Sequence, residues 1–304
     1  MNKKKILITG SCGFTFGNFI RKLVYEKQPY EVISLDRLSH MDLNAIYWNK
    51  NHSFYLADIN DSHILRAIFD LERPEIVIHG ANESMYEAKM FETNVNGTAS
   101  IARLCKEFKV NKLLHISTEE VYGHTPLSSS LETDIVNPQN PFAKSKYEGE
   151  FMVRDILDDS DVHFNIARLS TSYGPRQKKS NFIPHCIRDL HLLKNKAIEY
   201  NSEDCRDWTH VFDINSALLT ILEKGLNKET YNVGAEQELS HYEVLNKVAQ
   251  CLQVEVNHKQ IQGGIRYFMN ATKLKQLGWN ADFKFKDGLQ DAINWYLTNL
   301  WFIK

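Results

Sequence analysis

The alternation of short apolar runs with longer amphipathic segments constrains the fold of this chain more than any other feature. Strand-like runs occupy residues 5–9, 31–35, 53–58, 75–80, 112–117 and 163–168. Between them, apolar residues recur at helical spacing over residues 17–27, 62–71, 88–108 and 142–157. Because buried parallel strands are joined through crossover helices, this order predicts an α/β fold with a doubly wound parallel sheet.

The composition and the regularity of the apolar pattern change after Tyr173, which indicates a second region. The basic and polar stretch PRQKKSN leads into a helical pattern over 181–195, and the later segments are shorter and less regular. This change predicts a smaller C-terminal lobe in addition to the parallel sheet.

Charge and cysteine content exclude several classes of function. Lysine and arginine total 36 against 38 aspartate and glutamate, so the formal net charge of −2 does not favour nucleic acid or an anionic membrane as a partner. The five cysteines form no C-x-x-C pair and His79, His115 and His185 show no ligand spacing, so we expect no metal. Without a signal-peptide core or an apolar run near ~18 residues, we expect a cytoplasmic protein and no membrane span.

A glycine-rich turn between the first strand and the first helix predicts a dinucleotide site. Gly10 and Gly13 lie in TGSCGF, and Asp36 closes the second strand 23 residues after Gly13. Glycine lets backbone N–H groups approach a pyrophosphate, and a carboxylate at that strand end accepts from ribose hydroxyls and repels a 2′-phosphate. NAD is therefore favoured over NADP, although the neighbouring Arg37 weakens this preference. A simple turn and a solvated strand end are the alternative interpretations.

Phe16 departs from the dinucleotide pattern. A third small residue is expected at this position, where the first helix packs closely on the strand. The phenylalanine predicts that the helix lies further out or turns differently.

Two adjacent acids leave the fifth predicted strand in the segment STEEVYG. Ligands of open α/β sheets lie beyond the carboxyl ends of the strands, so Glu119 and Glu120 are well placed for chemistry. Paired carboxyls in different environments can supply one general acid and one general base. A charged surface loop is the alternative.

Many separate motifs carry a resemblance to a known family. They are TGSCGF, LDRLS, ADIND, GANES, FETNVNGT, HISTEEVYG, NPQNPFAKSK, ARLSTSYGPRQ, CRDWTHVFDI, TYNVG and RYFMNATKLKQLGW. By their order and spacing, the chain is identified as a member of the extended short-chain dehydrogenase/reductase superfamily. Within it, the chain most resembles the nucleotide-sugar 4,6-dehydratases of the dTDP-glucose type. Those enzymes carry Thr-Asp-Glu where this chain has Thr118, Glu119 and Glu120, so both acids are present.

The resemblance implies a Rossmann-type fold and a division of the chain. The NAD-binding domain would comprise residues 1–169, completed by about 206–241 and 290–304. The substrate-binding lobe would comprise residues 170–205 and 242–289. The helices around 88–108 and 142–157 resemble those that form a dimer interface in the superfamily, so we expect a homodimer.

The resemblance also implies a reaction in which hydride passes from C4 of the hexose to NAD and later returns to C6. Glu120 would remove the C5 proton and Glu119 would protonate the departing C6 hydroxyl. The implied catalytic positions are Thr118, Glu119, Glu120, Phe142 and Lys146. The implied NAD-binding residues are Gly10, Cys12, Gly13, Phe14, Asp36, Arg37, Asp58, Ile59, Gly80, Ala81, Asn82, Ser117, Lys146 and Ser170. The implied substrate-binding residues are Ser84, Thr118, Asn181, Arg206 and Arg266.

One residue contradicts this pattern. The family starts hydride transfer with a tyrosine phenolate four residues before a lysine, and here that pair is Phe142 and Lys146. An engineered substitution, a natural variant that uses another base, and a binding protein without catalysis are three explanations. A 4-epimerase or a C5-epimerising dehydratase is the alternative activity.

The nucleobase is also open. The dTDP-glucose enzymes carry a basic run before RYA, whereas QIQGGIRY retains only Arg266 of it. UDP-glucose and UDP-N-acetylglucosamine are therefore candidate substrates beside dTDP-glucose.

Overall fold

The computed structural model of the protein describes residues 3–38, 52–125, 128–194, 197–198, 204–258 and 264–304. It divides into two compact units. The first comprises residues 1–121, 136–168 and 218–231, and the second comprises residues 122–135, 169–217 and 232–304. Residues 260–263 of the QIQGGIRY stretch lie outside the described residues.

The strands and helices follow the predicted alternation in the first half of the chain. The strands are β1 Lys4–Thr9, β2 Tyr30–Asp36, β3 His52–Leu56, β4 Ile76–His79, β5 Lys112–Thr118, β6 His163–Leu169, β7 Thr171–Tyr173, β8 Ala197–Ile198, β9 Cys205–His210, β10 Thr230–Val233, β11 Glu238–Ser240, β12 Asn257–His258 and β13 Arg266–Tyr267. The helices are α1 Phe14–Tyr25, α2 Ser62–Glu72, α3 Glu87–Phe91, α4 Thr98–Glu107, α5 Pro141–Leu157, α6 Phe182–Ile187, α7 Val211–Lys224, α8 His241–Leu252, α9 Thr272–Gln276 and α10 Phe285–Thr298.

Among the described residues, the main sheet has seven strands in the order β10-β6-β5-β4-β1-β2-β3. The pairs β1–β2, β1–β4, β2–β3 and β4–β5 are parallel. Chain order runs outward in both directions from β1, which is the doubly wound arrangement. The predicted α/β class is therefore confirmed.

Register explains why the apolar runs form this sheet. Leu7 pairs with Ile33 on one side and with Val77 on the other, and Val77 pairs with Leu113. All four are at most 1% exposed and belong to one core cluster, to which α2, α4 and α5 also contribute. Each such side chain contributes about 1.5–3 kcal/mol on burial, so this row fixes the sheet.

The segment between β4 and β5 was predicted as one helix over 88–108. It contains α3 and α4 joined by a π-helical stretch, Glu92–Gly97. Asn94 lies in this stretch, where its side chain accepts from the backbone N–H of Glu83 at 2.7 Å and donates to the Glu83 carbonyl at 2.8 Å. The π turns thus place an amide against the loop that follows β4.

The second unit has its own core, built from β7, β9, α6, α8 and α10. Buried residues of this cluster include Tyr173, Trp208, Val244 and Ile293. Residues 122–135, 206–217 and 232–241, which the resemblance implied for the NAD-binding domain, lie in this unit, and so do residues 290–304. The physical reason is that α10 directs its apolar face into this cluster.

Candidate active site

The turn after β1 has the features of a pyrophosphate site. Gly10 adopts φ +69°, and a Cβ on it would lie 2.7 Å from the backbone nitrogen of Ala81. Gly13 donates its N–H to the Gly10 carbonyl at 3.0 Å, and α1 begins at the next residue. The first turn of α1 has neither a side-chain cap nor an acidic residue, which leaves its N–H groups suited to an anion.

The Phe16 side chain lies against Gly80, directly after β4. It is 4% exposed, and a ring carbon lies 1.9 Å from the place where a Cβ on Gly80 would be. Because Gly80 has no side chain, there is room for the Phe16 ring at this point. A glycine at the end of β4 therefore compensates for the phenylalanine.

Asp36 lies where a ribose-binding carboxylate is expected. It accepts the backbone N–H of Cys12 at 2.9 Å and that of Leu38 at 2.8 Å. Arg37 donates to Asp58 at 3.2 Å and to Glu83 at 2.8 Å. Because two carboxylates hold the Arg37 guanidinium, the neighbouring cation does not favour a 2′-phosphate.

Glu83 is a buried acid that sequence reasoning missed. It is 3% exposed, and one oxygen accepts the N–H groups of Ser84 and Met85. Burial raises the pKa of Glu83, but the backbone N–H groups and Arg37 outweigh burial and leave this pKa lowered. Its place between Asn82 and Ser84 in the GANES motif was the only signal for it.

The two acids follow β5 in a 3₁₀ turn, Glu119–Tyr122. Glu119 is 3% exposed, whereas Glu120 is half-buried. The Glu120 backbone N–H donates to the Thr118 hydroxyl at 3.3 Å, and its carboxylate accepts from the Asn140 amide at 2.6 Å. The adjacent carboxyls therefore have different surroundings.

Helix α5 carries Phe142 and Lys146. Phe142 is half-buried, and Lys146 is 3% exposed. Burial lowers the pKa of Lys146 to about 8, against the opposing charge of Glu150. Of the tyrosines nearest in sequence, Tyr147 is 39% exposed, and Tyr122 donates its hydroxyl to Asn232 at 2.7 Å.

Two buried histidines belong to the core of the first unit. His79 contacts the hydroxyls of Thr9 at 2.7 Å and Thr98 at 2.9 Å, and its ring lies 5.4 Å from that of His115. Burial, with a smaller contribution from Lys146, lowers the pKa of His79 to about 3. Both rings are therefore neutral at physiological pH, and within the described ranges no group of three His, Cys, Asp or Glu side chains could hold a metal ion.

Several predicted residues lie in the second unit. The Arg206 guanidinium lies 4.3 Å from the centre of the Tyr267 ring, and its Nη1 is buried without a hydrogen-bond partner in the described part of the chain. Arg266 instead donates to Glu238 and to the carbonyls of Thr125 and Ser128. Arg206 is therefore the guanidinium better placed for a ligand.

Two further predicted residues of this unit have local roles. Asn181 directly precedes α6, and its backbone carbonyl accepts from the N–H of His185 at 2.9 Å. The Ser170 hydroxyl bonds with that of Thr209 at 2.7 Å. The predicted site residues are thus divided between the two units, with the turn, the acid pair and Lys146 in the first.

The comparison with known families decides the classification. Residues 6–234 match the NAD dependent epimerase/dehydratase family. The chain belongs to this family. The predicted superfamily is confirmed, and within the described residues this family member contains no helix long and apolar enough to cross a membrane.

Relatives within the NAD dependent epimerase/dehydratase family include both named activities. Human dTDP-D-glucose 4,6-dehydratase is 29% identical, over 97% of this chain and 91% of that protein. The structure of dTDP-glucose 4,6-dehydratase from Bacillus anthracis in complex with NAD is 27% identical, covers 97% of both chains and has a TM-score of 0.89. UDP-glucose 4-epimerase from Thermotoga maritima, with UDP-glucose, is 25% identical, covers 97% of this chain and 99% of that one, and also has a TM-score of 0.89. Because the fold matches both, the side chains must distinguish the activities.

Proposed function

We propose that the chain is an NAD-dependent nucleotide-sugar 4,6-dehydratase, which converts an NDP-hexose to its 4-keto-6-deoxy form. The observation that carries the proposal is the pair Glu119 and Glu120 at the end of β5, one buried and one held by an amide. Loss of water from C5 and C6 needs a base and an acid together, whereas simple epimerisation at C4 needs neither of these carboxyls. The match with dTDP-glucose 4,6-dehydratases over nearly the whole chain supports the same activity.

The residues of the first unit fit NAD. When bound, NAD accepts a hydride from the sugar and returns it. The N-terminus of α1 would hold the pyrophosphate, and Asp36 would hold the adenosine ribose. Lys146 would contribute to the same site from α5.

The acid pair would perform the elimination. Glu120 removes the C5 proton, and Glu119 gives a proton to the departing C6 hydroxyl. An acid must keep its proton, which burial favours, and a base must be ionised, which a hydrogen-bond donor favours. Glu119 is 3% exposed, and the Glu120 carboxylate accepts a hydrogen bond from the Asn140 amide.

Phe142 limits the reaction, since its ring cannot accept the C4 hydroxyl proton. General acid–base catalysis typically contributes about 10²–10⁴-fold, so we expect Phe142→Tyr to raise kcat by about 10²-fold or more. Any turnover by the unsubstituted chain would require another base. Lys146 is the buried amine nearest to position 142 along α5.

The decisive experiment measures turnover of dTDP-glucose, UDP-glucose and UDP-N-acetylglucosamine by the chain and by Phe142→Tyr in deuterated water. Mass spectrometry should show loss of water with one deuterium gained. Epimerisation without water loss would support the 4-epimerase instead. Binding of all three sugars without turnover by either form would support a binding protein that has lost catalysis.

We also propose a homodimer formed through α3, α4 and α5. Phe91 on α3 and Tyr147 and Phe151 on α5 are 56%, 39% and 59% exposed, and exposed apolar patches are typical of protein–protein interfaces. Light scattering should give twice the mass of one chain, and Phe151→Asp should shift the protein towards monomer. A wild-type monomer at micromolar concentration would contradict this proposal.

We propose a reducing, cytoplasmic location as well. The thiols Cys105 and Cys186 are buried and carry no disulfide. Fractionation of cells that express a tagged chain would test the location.

A further inference from the structure

Asn140 connects the helix that carries Lys146 to one of the two acids. Its side-chain oxygen accepts the backbone N–H of Ala143 at 2.8 Å and so caps the N-terminus of α5. Its side-chain nitrogen donates to Oε2 of Glu120 at 2.6 Å. One amide therefore satisfies the end of a helix and a carboxylate at the same time.

The cap fixes which way the amide points. A backbone N–H can only donate, so the Asn140 atom that faces Ala143 must be the oxygen. The NH₂ group is then directed at Glu120 by necessity. The hydrogen-bond network therefore determines the orientation of the Asn140 amide.

Neighbouring contacts hold this arrangement. The N–H of Asn137 donates to the Val121 carbonyl at 2.9 Å, which ties the segment before α5 to the turn that contains Glu120. On the other side, the Glu120 N–H is bound to the Thr118 hydroxyl. Glu120 is thus held at its backbone and at its carboxylate.

We propose that Asn140 is a positioning residue that holds the Glu120 carboxylate in a fixed orientation for removal of the C5 proton. The inference rests on the proposed dehydratase function. A carboxylate that accepts a hydrogen bond from a fixed amide keeps one oxygen in place and leaves the other for the substrate. The electron pair of the C5–H bond enters the enolate of the 4-ketone, and the proton passes to Glu120.

The best assay is exchange of the C5 proton of dTDP-4-keto-6-deoxyglucose in deuterated water, followed by mass spectrometry. This partial reaction needs the base but no hydride transfer, so Phe142 does not limit it. Asn140→Ser keeps a good helix cap but replaces the NH₂ donor to Glu120 with a shorter hydroxyl, and we expect its kcat for exchange to fall on the order of 10-fold with KM within about twofold. Asn140→Asp also keeps the cap but places a second negative charge beside Glu120, so its exchange should be slower than that of Asn140→Ser.

Helix capping alone would give a different result. Asn140→Ala loses both functions, and Asp61→Ala removes the cap of α2, where Asp61 accepts from His63 and Ile64. The two alanine variants should lose similar thermal stability, but only Asn140→Ala should lose exchange activity. If Asn140→Ser exchanges as fast as the unsubstituted chain, Asn140 is only a cap and the proposal is overturned.

A spectroscopic measurement tests the contact independently of activity. The side-chain amide resonances of Asn140, assigned through their loss in Asn140→Ser, should move when Glu120→Gln is introduced. Unmoved resonances would show that the contact is absent in solution and would overturn the proposal. If the contact is present but the unsubstituted chain neither exchanges C5 nor turns over any sugar nucleotide, the dehydratase function and the catalytic role of Asn140 fall together. If the unsubstituted chain exchanges the C5 proton and Asn140→Ser exchanges it equally fast, only the proposal for Asn140 is overturned.

Discussion

Glu150 and Arg168 form a buried bidentate ion pair between α5 and β6. The arginine donates to the two carboxylate oxygens at 3.0 Å and 2.7 Å, and the side chains are 2% and 5% exposed. The pair attaches the helix of Lys146 to the sheet. The charge of Glu150 also opposes the effect of burial on the pKa of Lys146.

Removal of one partner of this pair should be strongly destabilising. We expect Glu150→Leu or Arg168→Leu to cost about 3–5 kcal/mol, because each leaves a buried charge without its partner. The double variant should cost clearly less than the sum of the two single changes. Urea unfolding of the four proteins measures the coupling, and additive costs would contradict it.

The contact between Phe16 and Gly80 makes a second prediction about stability. Gly80→Ala should cost about 1–3 kcal/mol because the new methyl group meets the Phe16 ring. In a Phe16→Leu background, which removes part of the ring's volume, the same change should cost much less. Equal costs in both backgrounds, measured by urea unfolding, would show that the ring is not the obstacle.

Cofactor preference should depend on Asp36. Asp36→Asn keeps an acceptor for the Cys12 N–H but removes the negative charge, so the ratio of the Kd for NADP to that for NAD should fall about 10-fold or more. Titration calorimetry with each cofactor measures this ratio. Asp61→Asn, a matched removal of charge at the start of α2, should leave the ratio unchanged.

Two buried groups should make the free energy of unfolding depend on pH, and their effects should be opposite. Burial lowers the pKa of His79 to about 3 from 6.5, so the unfolded chain binds the extra proton between these values and stability is lost as the pH falls below 6.5. Burial raises the pKa of Asp207 to about 7 from 3.8, against the backbone N–H of Gln237, so the folded chain binds the extra proton and stability is gained as the pH falls below 7. Each contributes about 1.4 kcal/mol per pH unit within its range.

Variants separate these two contributions. Between pH 6.5 and pH 4, His79→Gln should flatten the loss of unfolding free energy towards acid, and Asp207→Asn should steepen it. Urea unfolding at several pH values gives both slopes. A slope that does not change in either variant would mean that the groups titrate alike in the folded and unfolded chain.

The assignment of Arg206 to nucleotide binding predicts that dTDP binding depends on Arg206 more than on Arg266. Arg206→Met should raise the Kd of dTDP about 10-fold or more, since a hydrogen bond to a charged group contributes about 1.5–3 kcal/mol. Tyr267→Phe keeps the ring beneath Arg206 and should bind dTDP normally, whereas Tyr267→Leu should bind it more weakly. Arg266→Met should mainly lower the free energy of unfolding, because its bonds go to Glu238 and to carbonyls. Calorimetric titration distinguishes these outcomes, and equal weakening by both arginine variants would contradict the assignment.

Most of the secondary structure of the first unit could be predicted from the sequence, and so could the places of its glycine turn and acidic residues at the ends of strands. Apolar periodicity is a local property, so it predicts β1 to β6 and the helices between them without knowledge of any partner. Gly10, Asp36 and the pair Glu119 and Glu120 are tied to the ends of strands in the same way. Their location at the ends of strands therefore follows from their positions in the chain.

Contacts between side chains that are distant in the sequence could not be predicted in this way. Gly80 lies 64 residues from Phe16 in sequence, and Glu83 lies 46 residues from Arg37, yet the strand order β4-β1-β2 brings these segments together. Neither pair leaves a periodic signal, because each contact depends on how strand ends align across the sheet. The hydrogen bond from Asn140 to Glu120 could not be predicted from the sequence for the same reason. The place of α10, whose apolar face packs in the core of the second unit, also depends on tertiary contacts.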